Sequence, residues 1–142
     1  MKVYYVFKLK KEINNLYKDT PTVLYNILKS IYYLDKEEVE YGYNLFKQLI
    51  IPFNKNYLDR QLYIKFHNNI PYSKRKNIHH INNLYKNEIS RLTINNYYLK
   101  LETEQKNCSF LPILYDELEE LFICSFKNTD FFFLSEYLEK IS

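Results

Sequence analysis

Arg91-Leu92-Thr93-Ile94-Asn95-Asn96-Tyr97-Tyr98-Leu99-Lys100-Leu101-Glu102 is the stretch that decides the fold class. Two alternating runs rich in β-branched and aromatic residues flank Asn95-Asn96. Both asparagines tolerate positive φ, so the pattern predicts an antiparallel hairpin closed by a two-residue turn. Outward from it, Ser90 to Tyr137 reads strand, turn, strand, helix, strand, turn, strand. The helix is expected from about Phe110 to Leu121, with Leu111, Leu114, Leu118, Leu121 and Phe122 on one face. A final hairpin crosses Asn128-Thr129-Asp130, from Ile123-Cys124-Ser125-Phe126 to Phe131-Phe132-Phe133-Leu134.

The N-terminal half supplies one strand and several helices. Val3, Tyr5, Phe7 and Leu9 alternate with Lys2, Tyr4, Val6 and Lys8, which predicts a strand. Tyr4 and Val6 make its second face apolar too, so it belongs in the middle of the sheet with cover on both sides. A short helix follows over Lys10 to Tyr17, with Ile13, Leu16 and Tyr17 on one face. Thr20-Pro21 opens another, with a stripe of Leu24, Ile27, Leu28 and Ile31. Asp35-Lys36-Glu37-Glu38 has the form of a capping box for a helix carrying Val39, Tyr43, Phe46, Leu49 and Ile50. Gly42, the chain's single glycine, falls inside that helix at a cost of about 1 kcal/mol relative to Ala. Pro52 ends it, and Leu58, Leu62 and Phe66 mark the next helix. Asn68-Asn69-Ile70-Pro71 reads as a loop, and Ser73 as the cap of a further helix with Ile78, Ile81, Tyr85 and Ile89 inward. The cations Lys74, Arg75 and Lys76 would then sit in a first turn, where the helix dipole disfavours them. The expected architecture is α+β: one small domain over residues 1–142, a mainly antiparallel sheet packed by helices, in the order strand, helices, hairpin, helix, hairpin.

The length, 142 residues, is enough for one domain with a substantial core. The 46% hydrophobic and 18% aromatic content argues against disorder. Abundant Lys, Asn, Ile and Tyr points to an AT-rich coding sequence. Net charge is +3, with both signs interspersed, so no strong field for nucleic acid is implied. Cys108 and Cys124 are not closely spaced and read as reduced thiols. The opening apolar run is cut short by Lys8, and no run approaches the roughly 20 residues needed to cross a bilayer. A cytoplasmic protein with no membrane contact is expected.

Catalytic chemistry finds little footing. His79 and His80, on a helix, would point about 100° apart and could not share a metal easily. There is no His-Glu-x-x-His and no Cys-x-x-Cys. His67-Asn68-Asn69 with His79-His80 is a faint likeness to nucleases built on His and Asn, but expected helices flank both positions. One glycine rules out a Gly-rich phosphate loop. Glu117, Glu119 and Glu120 fall on the solvated face of the C-terminal helix. No enzyme activity, cofactor or metal is expected.

Two kinds of binding surface remain. Lys74-Arg75-Lys76 near Tyr72, and Lys8, Lys10 and Lys11 near Tyr4 and Tyr17, interleave cations with aromatics, as in a nucleic-acid groove or an ordinary solvated surface. Ile13 and Tyr17 lie four apart on the short helix after the first strand, beside Lys10, Lys11 and Glu12. They are either core residues or an apolar–aromatic patch offered to a partner.

Three stretches together resemble the sporulation inhibitor of replication (SirA) family of low-GC Gram-positive bacteria. They are Tyr4-Tyr5-Val6-Phe7-Lys8-Leu9-Lys10-Lys11-Glu12 with Tyr17, the hairpin from Arg91 to Glu102, and the helix and final hairpin ending in Phe131-Phe132-Phe133-Leu134. The likeness spans nearly the whole length in order. It departs at Lys18-Asp19, where the family usually has a glycine, at Phe131-Phe132-Phe133-Leu134, where the family often has a Tyr-Gly-Trp-Leu-like strand, and at Ile13, where it tends to carry an aromatic. The resemblance implies a non-enzymatic inhibitor, monomeric when free, that binds the N-terminal domain of the replication initiator DnaA. It places Ile13 and Tyr17 against the initiator, with Lys10 and Asn14 flanking them. The alternative is a small nucleic-acid-binding or phage-type accessory protein using the basic–aromatic clusters.

Overall fold

The computed structural model describes residues 1–69, 71–118 and 120–141. Strand β1 (Lys2–Lys8) leads into helices α1 (Lys11–Tyr17) and α2 (Pro21–Tyr32). A single 3₁₀ turn (Lys36–Glu38) precedes α3 (Val39–Leu49), and α4 (Lys55–Phe66) follows. Then come strands β2 (Tyr72–Arg75), β3 (Ile78–Asn83), β4 (Glu88–Ile94) and β5 (Leu99–Thr103), helix α5 (Phe110–Glu117), strands β6 (Leu121–Ser125) and β7 (Asp130–Phe133), and helix α6 (Leu134–Ile141). The fold is α+β, with every strand pair antiparallel and the order β2-β3-β4-β5-β1-β6-β7.

As its two-sided apolar pattern predicts, β1 lies inside the sheet, with Val6 opposite Leu99 on β5 and opposite Ile123 on β6. Each face of β1 belongs to a different core. Tyr4 and Val6 join Leu92, Leu99, Leu101 and Ile123 beneath Leu58, Leu62 and Phe66 of α4, Phe110 and Leu114 of α5, and Leu134 of α6. Phe7 and Leu9 join Phe122, Cys124 and Phe133 beneath Leu24, Tyr25 and Leu28 of α2 and Leu49 of α3. The first layer reaches across the sheet, whereas the second covers only β1, β6 and β7. On that second side of the outer strands, Ile78, His80, Arg91, Thr93, Lys100 and Glu102 remain half-buried, and Ile89 is exposed.

Several expectations require correction. Residues 72–89 form hairpins and no helix. Lys76, at φ 56°, turns β2 into β3, and Ile78, His79, His80 and Ile81 alternate across the sheet. The pattern Ile78–Ile81–Tyr85–Ile89 imitates a helical stripe, but Tyr85 stands fully exposed at the tip of the β3–β4 hairpin. The unfavourable cations at the supposed helix start were the local sign of this. The loop after β4 holds four residues, 95–98, because Ile94 pairs with Leu99; Tyr97 and Tyr98 lie outside the strand. Helix α5 stops at Glu117, and Leu121 and Phe122 belong to β6. Leu134 ends no strand and instead begins α6, an amphipathic helix absent from the expected layout. Neither Thr20 nor Asp35 makes a side-chain cap; Asp35 begins the 3₁₀ turn through its carbonyl, which accepts from the Glu38 N–H at 2.9 Å. Ile50 lies beyond α3 and bridges Leu9. Ile70 in the expected loop and Glu119 on the expected solvated face lie outside the described residues.

Gly42 does have a packing reason. A β-carbon added there would collide with Leu34 Cδ1, so the glycine admits the leucine between α2 and α3. Glu88, buried on β4, accepts from the Ser109 N–H at 3.0 Å and from its hydroxyl at 2.7 Å, tying the start of α5 to the sheet.

Candidate functional site

Helix α1 is a two-turn segment with no fully buried residue. It begins directly after the interior strand β1, and the Lys10 carbonyl accepts from the N–H groups of Ile13 and Asn14 at 3.0 and 2.9 Å. Ile13 and Tyr17 are half-buried and pack on the second core. Lys10 and Asn14 are half-buried too, while Lys11 and Glu12 are exposed. The apolar residue that projects is Leu16, at 65% exposure. The helix therefore anchors itself through the inner parts of Ile13 and Tyr17. Their outer parts and Leu16 form an apolar strip bordered by charge.

A second feature was not legible in the sequence. An open cleft of about 350 Å³ lies where the partial layer of α2 and α3 meets the sheet. Tyr5 and Phe7 form its floor, Ile31 and Tyr32 of α2 form one wall, and Tyr43 and Phe46 of α3 form another. Among the described residues, no charged side chain lines it. Tyr5 and Tyr32 approach hydroxyl to hydroxyl at 3.4 Å. Burial and the neighbouring Tyr32 hydroxyl push the Tyr5 phenol up, so it stays protonated. A smaller depression of about 250 Å³ shares Tyr5, Tyr32 and Phe126 with the cleft and adds Val3, Lys100 and Lys127. Gly42 signals in the sequence a close approach to α3, which Leu34 makes, but it does not mark the cleft itself.

Of the three rings in the two basic–aromatic clusters, Tyr17 is half-buried and the other two are enclosed. Tyr72 is buried beside Phe66, and Tyr4 is buried with its hydroxyl donating to Asp130 Oδ2 at 3.2 Å. Neither ring offers a free face to a base.

The histidines also part company. His79 and His80 are on strand β3 and point to opposite faces, so the helical geometry assumed for them does not apply. His79 is sealed in the first core, with Nε2 2.8 Å from Asp59 Oδ1 and Nδ1 2.7 Å from the Tyr72 hydroxyl. Burial, the largest influence, holds the imidazole below its ordinary pKa, and the Asp59 hydrogen bond opposes that only in part. Burial, with Asp59 nearby, pushes the Tyr72 phenol up to about 12. Neutral His79 thus donates from Nε2 to the carboxylate and accepts at Nδ1 from the Tyr72 hydroxyl, which satisfies all three groups. His67 lies elsewhere, with Nδ1 3.1 Å from the carbonyls of Tyr63 and Ile64. Among the described residues, no cluster of three or more His, Cys, Asp or Glu could hold a metal ion. No helix among them is long and apolar enough to cross a membrane. Comparison of the chain with protein-family models and with curated proteins finds no match.

Proposed function

We propose that this protein works by docking onto another protein through α1, and that its partner is the N-terminal domain of the replication initiator DnaA. The observation that carries the reading is the semi-exposed apolar strip of α1. Ile13 and Tyr17 are seated firmly enough to fix the helix and remain open enough to be touched, and Leu16 projects beside them. Large apolar anchors ringed by polar groups dominate small protein interfaces. The family resemblance supplies the partner and the consequence, which is inhibition of chromosome replication initiation as cells commit to sporulation. On this reading Leu16 joins Ile13 and Tyr17 as a contact, with Lys10 and Asn14 at the rim. The protein acts by covering a surface the initiator needs for its own assembly, with no catalytic step, in the cytoplasm and without direct contact to nucleic acid.

The test is a titration of the initiator's N-terminal domain with the intact protein and its Tyr17→Ala variant, at two salt concentrations. Loss of a half-buried aromatic anchor should weaken binding by about tenfold or more. Added salt should matter little, in contrast to a phosphate-binding surface. An affinity within twofold of the parent's for Tyr17→Ala would remove α1 from the interface.

A further inference from the structure

We infer that the aromatic cleft beside α2 and α3, together with the depression that adjoins it, is a binding site for a small anionic amphiphile: an aromatic or aliphatic carboxylate whose apolar body fills the cleft and whose carboxylate meets Lys100 and Lys127. This site is separate from the α1 strip and does not depend on the identity of any protein partner.

The fold itself produces the cleft. The α1–α3 layer ends over β1 and the β4–β5 loop, where Tyr43 meets Tyr97, so Tyr5 lies at its margin with its ring between Tyr98 and Phe126. Tyr32 sits at the C-terminal end of α2, directly over that boundary, stacked on Phe126 at 4.6 Å between centroids. The result is a concave, aromatic-walled space of about 350 Å³, a size that suits a small ligand. Such a lining alone would fit many apolar molecules; the adjoining lysines narrow the choice.

Lys100 is the direct cross-strand partner of Tyr5 and shares its face of the sheet. Although it is half-buried, it makes no ion pair among the described residues. Lys127, in the β6–β7 turn, converges on the same depression and also lacks an ion pair there. Glu102, two residues along β5 on the same face and close enough to Tyr5 to help push its phenol up, pairs with Arg91 at 3.7 Å. Two lysines without an ion pair therefore line the depression that adjoins the uncharged aromatic cleft, and Tyr5 and Tyr32, whose hydroxyls lie 3.4 Å apart, line both spaces. A neutral ligand would leave both cations uncompensated. A dianion or phosphate without an apolar body would leave the aromatic walls wet. A monocarboxylate on a flat or extended apolar body satisfies both parts.

The experiment uses two probes that share a ring system, 2-naphthoate and its neutral counterpart 2-naphthalenemethanol, titrated into the full chain and followed by calorimetry and amide chemical shifts. Naphthoate should bind the parent protein more tightly than the alcohol, with shift changes centred on Tyr5, Tyr32 and Lys100. The Lys100→Gln/Lys127→Gln double variant replaces one half-buried and one exposed lysine, neither in an ion pair among the described residues, with a polar residue of similar length, and should fold normally. It should bind naphthoate about tenfold more weakly and the alcohol unchanged. Absence of naphthoate binding by the parent at about 1 mM would overturn the assignment. So would equal naphthoate affinity in the double variant, or equal loss of both probes.

Discussion

His79 Nε2 lies 2.8 Å from Asp59 Oδ1, a hydrogen bond made by a fully enclosed imidazole. Its pKa is lowered in the folded protein, so the unfolded chain binds the proton more readily. Folding stability from this site is therefore complete above the ordinary histidine pKa of about 6.5 and declines as pH falls through and below it. Chemical denaturation between pH 7.5 and 5.5 should show stability dropping in that direction. In His79→Ala the loss over this window should shrink, and the variant should be about 2–4 kcal/mol less stable at pH 7.5, because Asp59 and the Tyr72 hydroxyl lose a buried partner. A parent protein whose stability rises on acidification across the window would contradict the neutral assignment.

Gly42 and Leu34 make a second prediction. At an exposed helical position, Gly to Ala stabilises by about 1 kcal/mol. Here the added β-carbon meets Leu34 Cδ1, and the leucine must swing aside. Thermal melts of Gly42→Ala should show none of that gain, and Gly42→Val should cost about 1–3 kcal/mol through overpacking. A Gly42→Ala protein more stable by the full helical increment would mean that Leu34 does not rest there.

Leu16 separates folding from binding. At 65% exposure it contributes little to the core, so Leu16→Ala should leave the denaturation midpoint nearly unchanged, within about 0.5 kcal/mol. The same variant should weaken docking onto the proposed partner. A large loss of stability would show that Leu16 is a packing residue in solution.

Both thiols should be inert in the folded protein. Cys108 and Cys124 are buried and unpaired. Burial pushes the Cys108 thiol up to about 11 and raises Cys124 as well, with Asp130 adding to the second shift. Reaction with an aromatic disulfide reagent at pH 8 should be more than about a hundredfold slower than for an exposed thiol, and two equivalents should appear on unfolding in guanidinium. Rapid native labelling would place at least one thiol at the surface.

Strong local patterns in the sequence were reliable guides to this fold. The alternation of Val3, Tyr5 and Phe7 with Tyr4 and Val6 located a strand covered on both faces, and Leu58, Leu62 and Phe66 marked a buried helical stripe. The errors arose where two periodicities overlap. Ile78, Ile81, Tyr85 and Ile89 fit a helix by spacing, but a turn at Lys76 and strand pairing to β4 override it. Leu121 and Phe122 continue the apolar stripe of α5 although they belong to β6, because a buried strand also reads as an unbroken apolar run. At α1 the sequence found the helix and its three apolar positions. It could not say how far each projects, since that depends on where the rest of the second layer ends. The cleft was out of reach for the same reason: Tyr5, Tyr32 and Lys100 converge only through the pairing of β1 with β5 and the length of α2.

Strand β2 closes one side of the sheet, with the Tyr72 N–H donating to the Asn69 carbonyl at 3.0 Å and no further strand beyond it among the described residues. Ser73, Lys74 and Arg75 are all exposed along it. Positive charge on a bare margin repels an identical margin and discourages intermolecular strand addition. The cationic run that looks in sequence like a grip for phosphate lies, in the folded molecule, along the margin where strand-on-strand growth would have to begin.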